Sequence, residues 1–181
     1  PDELVEQIPV VKRLVEAWGF AGFEVPGVEA DDVIGTLSSR FASQGFEVTL
    51  ATTDKDMLQL VDERVSVYDP WKSKRYRPDD VQAKLGVEPR QVVDDMALTG
   101  DSIDNIPGVP GIGPKRAHAL LAKYGSLDEA LEHDAKLAPH RDVALLSREL
   151  VTIERSVSVE ADAEGMRPRE TDVEELRAVL E

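Results

Sequence analysis

The pattern of hydrophobic positions divides the chain into an alternating half and a helical half. In the first half, apolar residues recur at helical spacing from Leu4 to Trp18, over 30–41 and in a short turn at 58–61. Runs rich in β-branched and aromatic residues lie between these segments and predict three strands, over 23–25, 46–52 and 65–68. Helices that alternate with strands predict an α/β fold with a mostly parallel sheet and flanking helices.

The strand signals stop at Pro78, and the rest of the chain predicts helices. These helical segments lie over 78–85, 89–99, 114–124, 126–132 and 141–155. Ser126 stands where the N-cap of the fourth segment is expected. We therefore expect a core domain over 1–99, an all-α module over 100–165, and a linker over 166–181 that enters a further helix.

Composition fits a soluble globular protein and removes several classes of site. The chain has 181 residues, of which 41% are hydrophobic and 31% are charged. The absence of cysteine excludes disulfide scaffolds and thiol nucleophiles, and three scattered histidines argue against zinc catalysis. No stretch approaches the roughly 18–20 apolar residues of a membrane span, so we expect a cytoplasmic protein with no membrane partner. Because the chain begins at Pro1 and not at methionine, we expect it to be part of a longer polypeptide.

Seven acidic residues form three clusters at the ends of predicted elements. One cluster begins the helix over 30–41, one follows the strand over 46–52, and one follows the helix over 89–99; the members are Glu29, Asp31, Asp32, Asp54, Asp56, Asp101 and Asp104. The carboxyl ends of strands are where α/β sheets place ligands, and residues i and i+2 share a face if the strand continues. Residues i and i+3 are neighbours on a helical turn. Taken singly, the first two clusters are explained about equally well by helix caps or turns, and the third could be a polar loop.

Together the three clusters favour a cation site with little local neutralisation. Carboxylates that lie close together repel one another unless a cation holds them, and hard divalent ions prefer oxygen ligands. Two such ions about 3.5–4 Å apart would hold the attacking and leaving oxygens of a phosphodiester. The sequence therefore predicts two Mg²⁺ or Mn²⁺ ions and the hydrolysis of phosphodiesters.

A glycine-rich segment over 106–117 leads into the helix over 114–124. Glycines let a backbone approach phosphate closely, and a helix N-terminus offers free N–H groups with a positive dipole. A loop of this kind holds the DNA backbone without sequence specificity. We assign DNA binding to Gly108, Gly111, Ile112, Gly113, Lys115 and Arg116. The alternative is an ordinary structural turn between two helices.

The net charge of -15 argues against nucleic-acid binding when it is taken alone, because Lys and Arg dominate contacts with phosphate. However, residues 105–126 contain three basic residues and no acidic residue. A second basic segment over 72–77, next to Tyr68 and Trp71, could contact phosphates or bases. The favoured interpretation of that segment is a solvated hairpin.

Three motifs carry a resemblance to a known family. They are VPGVEADD over 25–32, TTDKDMLQL over 52–60 and ALTGDSIDNIPGVPGIGPK over 97–115. With them the chain resembles the 5′ nuclease domain of bacterial DNA polymerase I, within the flap endonuclease family. The resemblance implies a PIN-like core over 1–99 and a helix-three-turn-helix module, with a helix-hairpin-helix, over 100–165.

The resemblance also implies roles for the clustered acids and partners for the chain. Glu29, Asp31 and Asp32 would serve one metal ion, and the other four acids the second, with catalysis resting on Glu29, Asp31, Asp54 and Asp56. It implies a K⁺ ion in the hairpin, nicked or branched duplex DNA with a 5′ flap as substrate, and polymerase domains in the same chain. The competing hypothesis is a non-catalytic, structure-specific DNA-binding module.

The chain departs from the family at its start. The family begins with a strand that bears an Asp ligand, then has a second Asp and a basic helical arch, and none of these precedes Pro1. We therefore expect the chain by itself to have an incomplete set of metal ligands, to bind DNA weakly and to cleave it poorly.

Overall fold

The first half of the chain builds a small sheet flanked by helices. A computed structural model describes residues 2–181. Helix α1 spans Asp2–Ala17 and α2 spans Ala30–Ser43, followed by strand β1 at Val48–Ala51, a 3₁₀ helix at Asp56–Leu60, β2 at Val65–Asp69 and β3 at Lys74–Tyr76. β1 pairs with β2 in parallel, from Val48 opposite Val65 to Ala51 opposite Tyr68. Because these strands are parallel, both carboxyl ends lie at one edge of the sheet, where the Asp54 and Asp56 segment begins.

The second half is helical. Helix α3 spans Pro78–Leu85, and a 3₁₀ turn at Pro89–Gln91 runs into α4 at Val92–Thr99. Then follow α5 at Pro114–Tyr124, α6 at Leu127–His133, a 3₁₀ turn at Ala138–His140, α7 at Arg141–Val151 and α8 at Val173–Leu180. Ser126 caps α6, because its hydroxyl accepts a hydrogen bond from the Glu129 amide. None of these helices, nor α1 or α2, has both the length and the apolar character needed to cross a bilayer within residues 2–181.

One hydrophobic core joins the two halves. Met57 beside the sheet, Leu98 in α4, Leu121 in α5 and Leu137 before α7 belong to the same buried cluster. Helix α4 packs against both α5 and α7. The glycine-rich segment between α4 and α5 is therefore held against the α/β part by shared packing. At the other end of the chain, α8 packs on α1, with an ion pair between Arg13 and Glu175.

Three predicted elements differ from the observed ones. The strand predicted over 23–25 is wrong: the segment has no strand partner among the described residues, and Phe23 and Val25 pack instead against the α2 side of a second buried cluster. Helix α7 ends at Val151 and not at 155, because the buried Gln59 side chain bonds the Val151 carbonyl and the Ile153 amide. The helix predicted over 89–99 begins as a 3₁₀ turn.

The basic segment over 72–77 contains β3, which the hydrophobic pattern did not predict. β3 pairs antiparallel with β2 and closes a hairpin. The buried Asp69 carboxylate fixes the turn by accepting hydrogen bonds from the amides of Trp71 and Lys72 and from the Lys72 ammonium. The Trp71 side chain is 87% exposed at the tip. The prediction that residues 72–77 belong to a hairpin is therefore confirmed.

Candidate metal centre and nucleic-acid interface

Six of the seven clustered acids line one cleft at the carboxyl edge of the sheet. The cleft has a volume of about 530 Å³, and its acidic wall consists of Glu29, Asp31, Asp32, Asp54, Asp56 and Asp104. The rest of the lining consists of Asn105, Ile106 and residues 150–153. The fold therefore brings together acids that lie as much as 75 positions apart in the sequence, between Glu29 and Asp104.

The first cluster occupies the N-terminus of α2. Glu29 is the N-cap residue, but its side chain makes no capping hydrogen bond. Asp31 and Asp32 lie in the first turn, where the helix dipole favours negative charge. One oxygen of Asp32 accepts a hydrogen bond of 2.8 Å from the Glu154 amide, which ties this cluster to the chain after α7. Capping of the helix therefore leaves the Glu29 and Asp31 carboxylates free to serve the cleft.

The second cluster is placed by a turn. Of the two alternatives for Asp54 and Asp56, a shared strand face and a turn, the structure has the turn, because β1 ends at Ala51. The Thr52 hydroxyl accepts a hydrogen bond of 3.0 Å from the Asp54 amide, and the Asp54 carboxylate accepts one of 2.9 Å from the Asp56 amide. These side-chain turns fold the backbone so that Asp56 begins a 3₁₀ helix with its carboxyl group at the cleft.

The third cluster lies in a closed loop and not on a helical turn. The backbones of Asp101 and Ile106 pair with hydrogen bonds of 3.1 and 2.7 Å, and the Asp101 carboxylate accepts a bond of 2.8 Å from the Ile103 amide. This loop turns Asp104 toward the cleft. Asp56, Asp101 and Asp104 each offer a carboxylate oxygen, and these oxygens lie within 4.8 Å of one another.

One basic residue within the cluster was missed. The Lys55 ammonium forms an ion pair with Asp101, whose side chain is 4% exposed. Its hydrogen bond holds the pKa of Asp101 below the usual value, and the same bond raises the pKa of Lys55. The expectation of little local neutralisation is therefore wrong at Asp101. The only signal in the sequence was the position of Lys55 between two acids, and its partner lies 46 residues away.

Two carboxylates of the cleft, Asp31 and Asp56, are disfavoured in their charged form by burial and by their neighbours. Desolvation, and after it the Asp54 charge, raises the pKa of Asp56 to about 6. Burial, followed by the charges of Asp54 and Glu29, also raises the pKa of Asp31. One oxygen of Asp56 is buried and has no hydrogen-bond partner in the described chain. A buried, unpaired carboxylate oxygen among other carboxylates is the donor set that a hard divalent cation satisfies.

The glycine-rich loop divides into buried and exposed residues. The Gly108 amide donates a hydrogen bond of 3.1 Å to the Ser147 hydroxyl, and a Cβ at this position would lie 2.5 Å from the Gly100 nitrogen. Ile112 is 6% exposed and packs in the core. The Gly108 amide and the Ile112 side chain are therefore engaged within the chain: Gly108 serves the close packing of the loop on α4, and Ile112 anchors it. Contact of these two residues with phosphate stays a prediction.

The other four predicted DNA-binding residues lie at the surface. Gly111 has a φ of +75°, and no atom lies within 4 Å of the Cβ position at either Gly111 or Gly113. Gly113 is the N-cap residue of α5, and Lys115 and Arg116 follow in the exposed first turn. The loop and the start of α5 thus present backbone, two cations and a helix N-terminus on one surface.

Both halves of the chain match domains of one known protein family. Residues 1–86 match the profile of the N-terminal, resolvase-like domain of 5′-3′ exonucleases. Residues 87–174 match the profile of the C-terminal SAM fold of the same enzymes. The chain belongs to the 5′-3′ exonuclease family. The family identity agrees with a resolvase-like α/β core that is followed by a helical module.

The relatives of the chain within this family are longer than the chain itself. It is 43% identical to a thermostable DNA polymerase I of Thermus filiformis, with 100% of this chain and 23% of that protein covered. It is 38% identical to a 5′-3′ exonuclease of Aquifex aeolicus, of which it covers 64%. The chain therefore spans less than two thirds of either relative.

Solved structures show the same fold. The bacteriophage T5 D15 flap endonuclease, in a pseudo-enzyme-product complex with DNA and metal ions, matches with a TM-score of 0.64 and 25% identity, over 71% of this chain and 51% of that one. The catalytic core of Rad2 in complex with a DNA substrate matches with a TM-score of 0.62 over 97% of this chain and 62% of that one. Its 16% identity supports the fold alone.

Proposed function

We propose that the chain is the nuclease part of a metal-dependent 5′-3′ exonuclease that cleaves 5′ flaps by a two-metal mechanism. The observation that carries this proposal is the acidic cleft, in which a buried Asp56 oxygen lacks a partner while five further carboxylates face the same space. Family membership supports the reaction type. The T5 D15 relative was solved with DNA and metal ions, which supports DNA as the substrate and divalent ions as cofactors.

The residues of the cleft have distinct parts in this proposal. Glu29, Asp31, Asp54 and Asp56 would hold two Mg²⁺ or Mn²⁺ ions and orient the water that attacks the phosphodiester. Ions bound there supply a water nucleophile at neutral pH and stabilise negative charge on the phosphate. Asp32 would position the cluster through its bond to the Glu154 amide. Asp104 would complete the ligand set, while Asp101, paired with Lys55, keeps its loop in place.

The surface formed by the loop over 108–113 and the first turn of α5 would hold duplex DNA. Its contacts come from backbone amides and from the charges of Lys115 and Arg116, so binding would not depend on sequence. A K⁺ ion in this loop is part of the proposal. Because the Thermus relative is a DNA polymerase I, we further propose polymerase domains in the same polypeptide and a cytoplasmic location.

Calorimetric titration with Mn²⁺ tests the metal site without requiring catalysis. The wild-type chain is expected to bind Mn²⁺ saturably, and Asp54→Asn is expected to weaken binding about 10-fold or more because it removes one anionic ligand. Glu132→Gln, which removes an exposed acid of α6 outside the cleft, is the matched control and should leave the affinity unchanged. Absence of Mn²⁺ binding at millimolar concentration would contradict the proposal.

Cleavage and DNA binding separate the enzyme from the non-catalytic module. With a labelled 5′-flap duplex, the weak Mg²⁺-dependent cleavage that we expect of the chain by itself should be abolished by Asp54→Asn, while the DNA affinity stays within about twofold. Lys115→Ala should do the reverse, lowering affinity at low salt and reducing the dependence of binding on salt by about one charge. A metal-binding chain whose Asp54→Asn variant loses DNA affinity, with no cleavage in the wild type, would support the binding module.

A further inference from the structure

The cleft has two walls of opposite character. Besides the carboxylates, the lining includes four aliphatic residues, together with the polar Asn105 and Thr152; we call the aliphatic residues the apolar wall, and they are Ile106, Leu150, Val151 and Ile153. They belong to the loop before the glycine-rich segment and to the end of α7. Val151 and Ile153 are buried, with 7% and 8% of their surface exposed, whereas Leu150 is 55% exposed. A large, exposed aliphatic side chain therefore lines a cleft that also carries high negative charge.

The apolar wall is held rigidly, and its position is fixed relative to the acids. Gln59, which is 5% exposed, donates a hydrogen bond of 2.9 Å to the Val151 carbonyl and accepts one of 3.0 Å from the Ile153 amide. It lies in the same 3₁₀ helix as Asp56. The Gln59 side chain therefore joins the segment that carries the apolar wall to the segment that carries Asp56, through two hydrogen bonds.

The hydrogen bonds of Gln59 also decide what the wall presents to a ligand. The Val151 carbonyl and the Ile153 amide are occupied by Gln59, and the Thr152 hydroxyl donates to the Arg148 carbonyl. The face that remains available at Leu150 is therefore aliphatic. Such a face contacts any sugar or base and reads no hydrogen-bonding pattern, so it favours a nucleotide without selecting its sequence.

A nucleotide matches both walls at once. Its phosphodiester requires cations, which the carboxylates would hold, and its deoxyribose and base offer an apolar surface a few ångströms away. We propose that Leu150, with Ile106, seats the sugar and base of the nucleotide whose phosphodiester lies at the acidic wall. This proposal rests on the proposed nuclease function and adds a positioning contact to it. Leu150 makes no contribution to metal binding.

The test measures whether the effect of Leu150→Ala on DNA affinity depends on the presence of one particular base in the DNA. Wild type, Leu150→Ala and Leu146→Ala are titrated with labelled 5′-flap duplexes in Ca²⁺ by fluorescence anisotropy. Leu146 is the matched control, since it lies one turn earlier in α7, is 49% exposed and does not line the cleft. The duplexes form a series, in which a single abasic residue replaces each nucleotide around the junction in turn.

Leu150→Ala is expected to weaken binding of the intact duplex about 5- to 10-fold, because the contact area of a leucine side chain is lost. At one position of the series, the abasic duplex should show a clearly smaller difference in affinity between wild type and Leu150→Ala, because the base contact is absent from both and only the sugar contact remains. Leu146→Ala should match wild type throughout, and Mn²⁺ affinity should be the same in all three proteins.

Three results would overturn the proposal: no loss of affinity in Leu150→Ala, an equal loss in Leu146→Ala, or a loss that stays undiminished for every abasic duplex. If Leu150 instead forms a docking surface for another protein, the first of these results is expected. A wild-type chain that binds neither Mn²⁺ nor DNA would contradict the proposed function itself, and the proposal with it. A wild-type chain that binds both, with a loss independent of the base, contradicts the Leu150 proposal alone.

Discussion

Asp56→Asn should make the metal-free protein more stable, although it removes a residue of the cleft. Desolvation and the Asp54 charge raise the Asp56 pKa from 3.8 to about 6, so its ionised form is disfavoured in the folded state. At 1.36 kcal/mol per unit, this shift corresponds to about 3 kcal/mol at most. Solvent screening at a half-buried carboxylate reduces the figure, and we expect a gain of about 1–1.5 kcal/mol at pH 7.

The same shift fixes the pH dependence. Because the folded-state pKa of Asp56 lies above its unfolded value, the unfolded chain loses this proton first as the pH rises. The free energy of unfolding of the metal-free wild type should therefore decrease between about pH 4 and pH 6 through this group. The Asn variant lacks this contribution, so the difference between the two proteins should grow over the same window and level off above pH 7.

Urea unfolding in EDTA and in Mn²⁺ measures both effects. Mn²⁺ at 100 times its Kd should stabilise the wild type by about 2.7 kcal/mol and Asp56→Asn by much less, which reverses their order. Asp142→Asn, an exposed acid in the first turn of α7, is the control and should show neither effect. A variant that is no more stable than wild type in EDTA, or that keeps the full Mn²⁺ stabilisation, would refute the reasoning.

Four further substitutions test the supports of the site by urea or thermal unfolding, with Gly111→Ala as the comparison for Gly108→Ala. Gly108→Ala should lower the free energy of unfolding by at least about 3 kcal/mol, because the new Cβ would meet backbone atoms and φ is +61°. Gly111→Ala should lower it by only about 1–2 kcal/mol, because φ is +75° but the space around the new Cβ is open. Equal losses in the two variants would contradict this. Lys55→Met should lower the free energy of unfolding by about 1–2 kcal/mol near pH 7, because it leaves the buried Asp101 carboxylate without its partner. This loss should become smaller below about pH 4, where Asp101 becomes protonated. A loss that does not depend on pH would count against the ion pair. Ser126→Ala should lower the free energy of unfolding by about 1 kcal/mol, because the hydroxyl that accepts a hydrogen bond from the Glu129 amide at the start of α6 is lost. Ser156→Ala is not a suitable control, because the Ser156 hydroxyl also forms a hydrogen bond, to Glu154.

For the acidic clusters, the local sequence pattern predicted where the acids lie but not how the backbone places them. Their placement at element ends was visible in the sequence, and six of the acids do line one cleft. The sequence did not decide how Asp54 and Asp56 are placed: a continued strand and a turn were both open, and side-chain turns from Thr52 and Asp54 occur. Short polar side chains that bond to nearby backbone compete with the strand, and a period-two pattern does not reveal which of them prevails.

In the glycine-rich loop, the sequence did not distinguish the glycine that packs inside the protein from those at the surface. Its glycines were all assigned to phosphate contact, because each has the same conformational freedom in the sequence. In the structure, Gly108 is buried against Gly100 and bonded to Ser147, while Gly111 and Gly113 face open space. Ser147 lies 39 residues away from Gly108, so no local rule distinguishes a glycine required for packing from one that is free to meet a ligand.

The sequence by itself determined the alternation of helices and strands, the helical second half, the clusters of acids and the family motifs. These depend on periodicity, caps and residue chemistry over a few neighbouring positions. Only the tertiary structure decided that Lys55 neutralises Asp101, that Gln59 ends α7 and fixes the apolar wall, and that one oxygen of Asp56 is left without a partner. Each of these depends on contacts between residues far apart in the chain or on exclusion of water by the packed core, which no local pattern encodes.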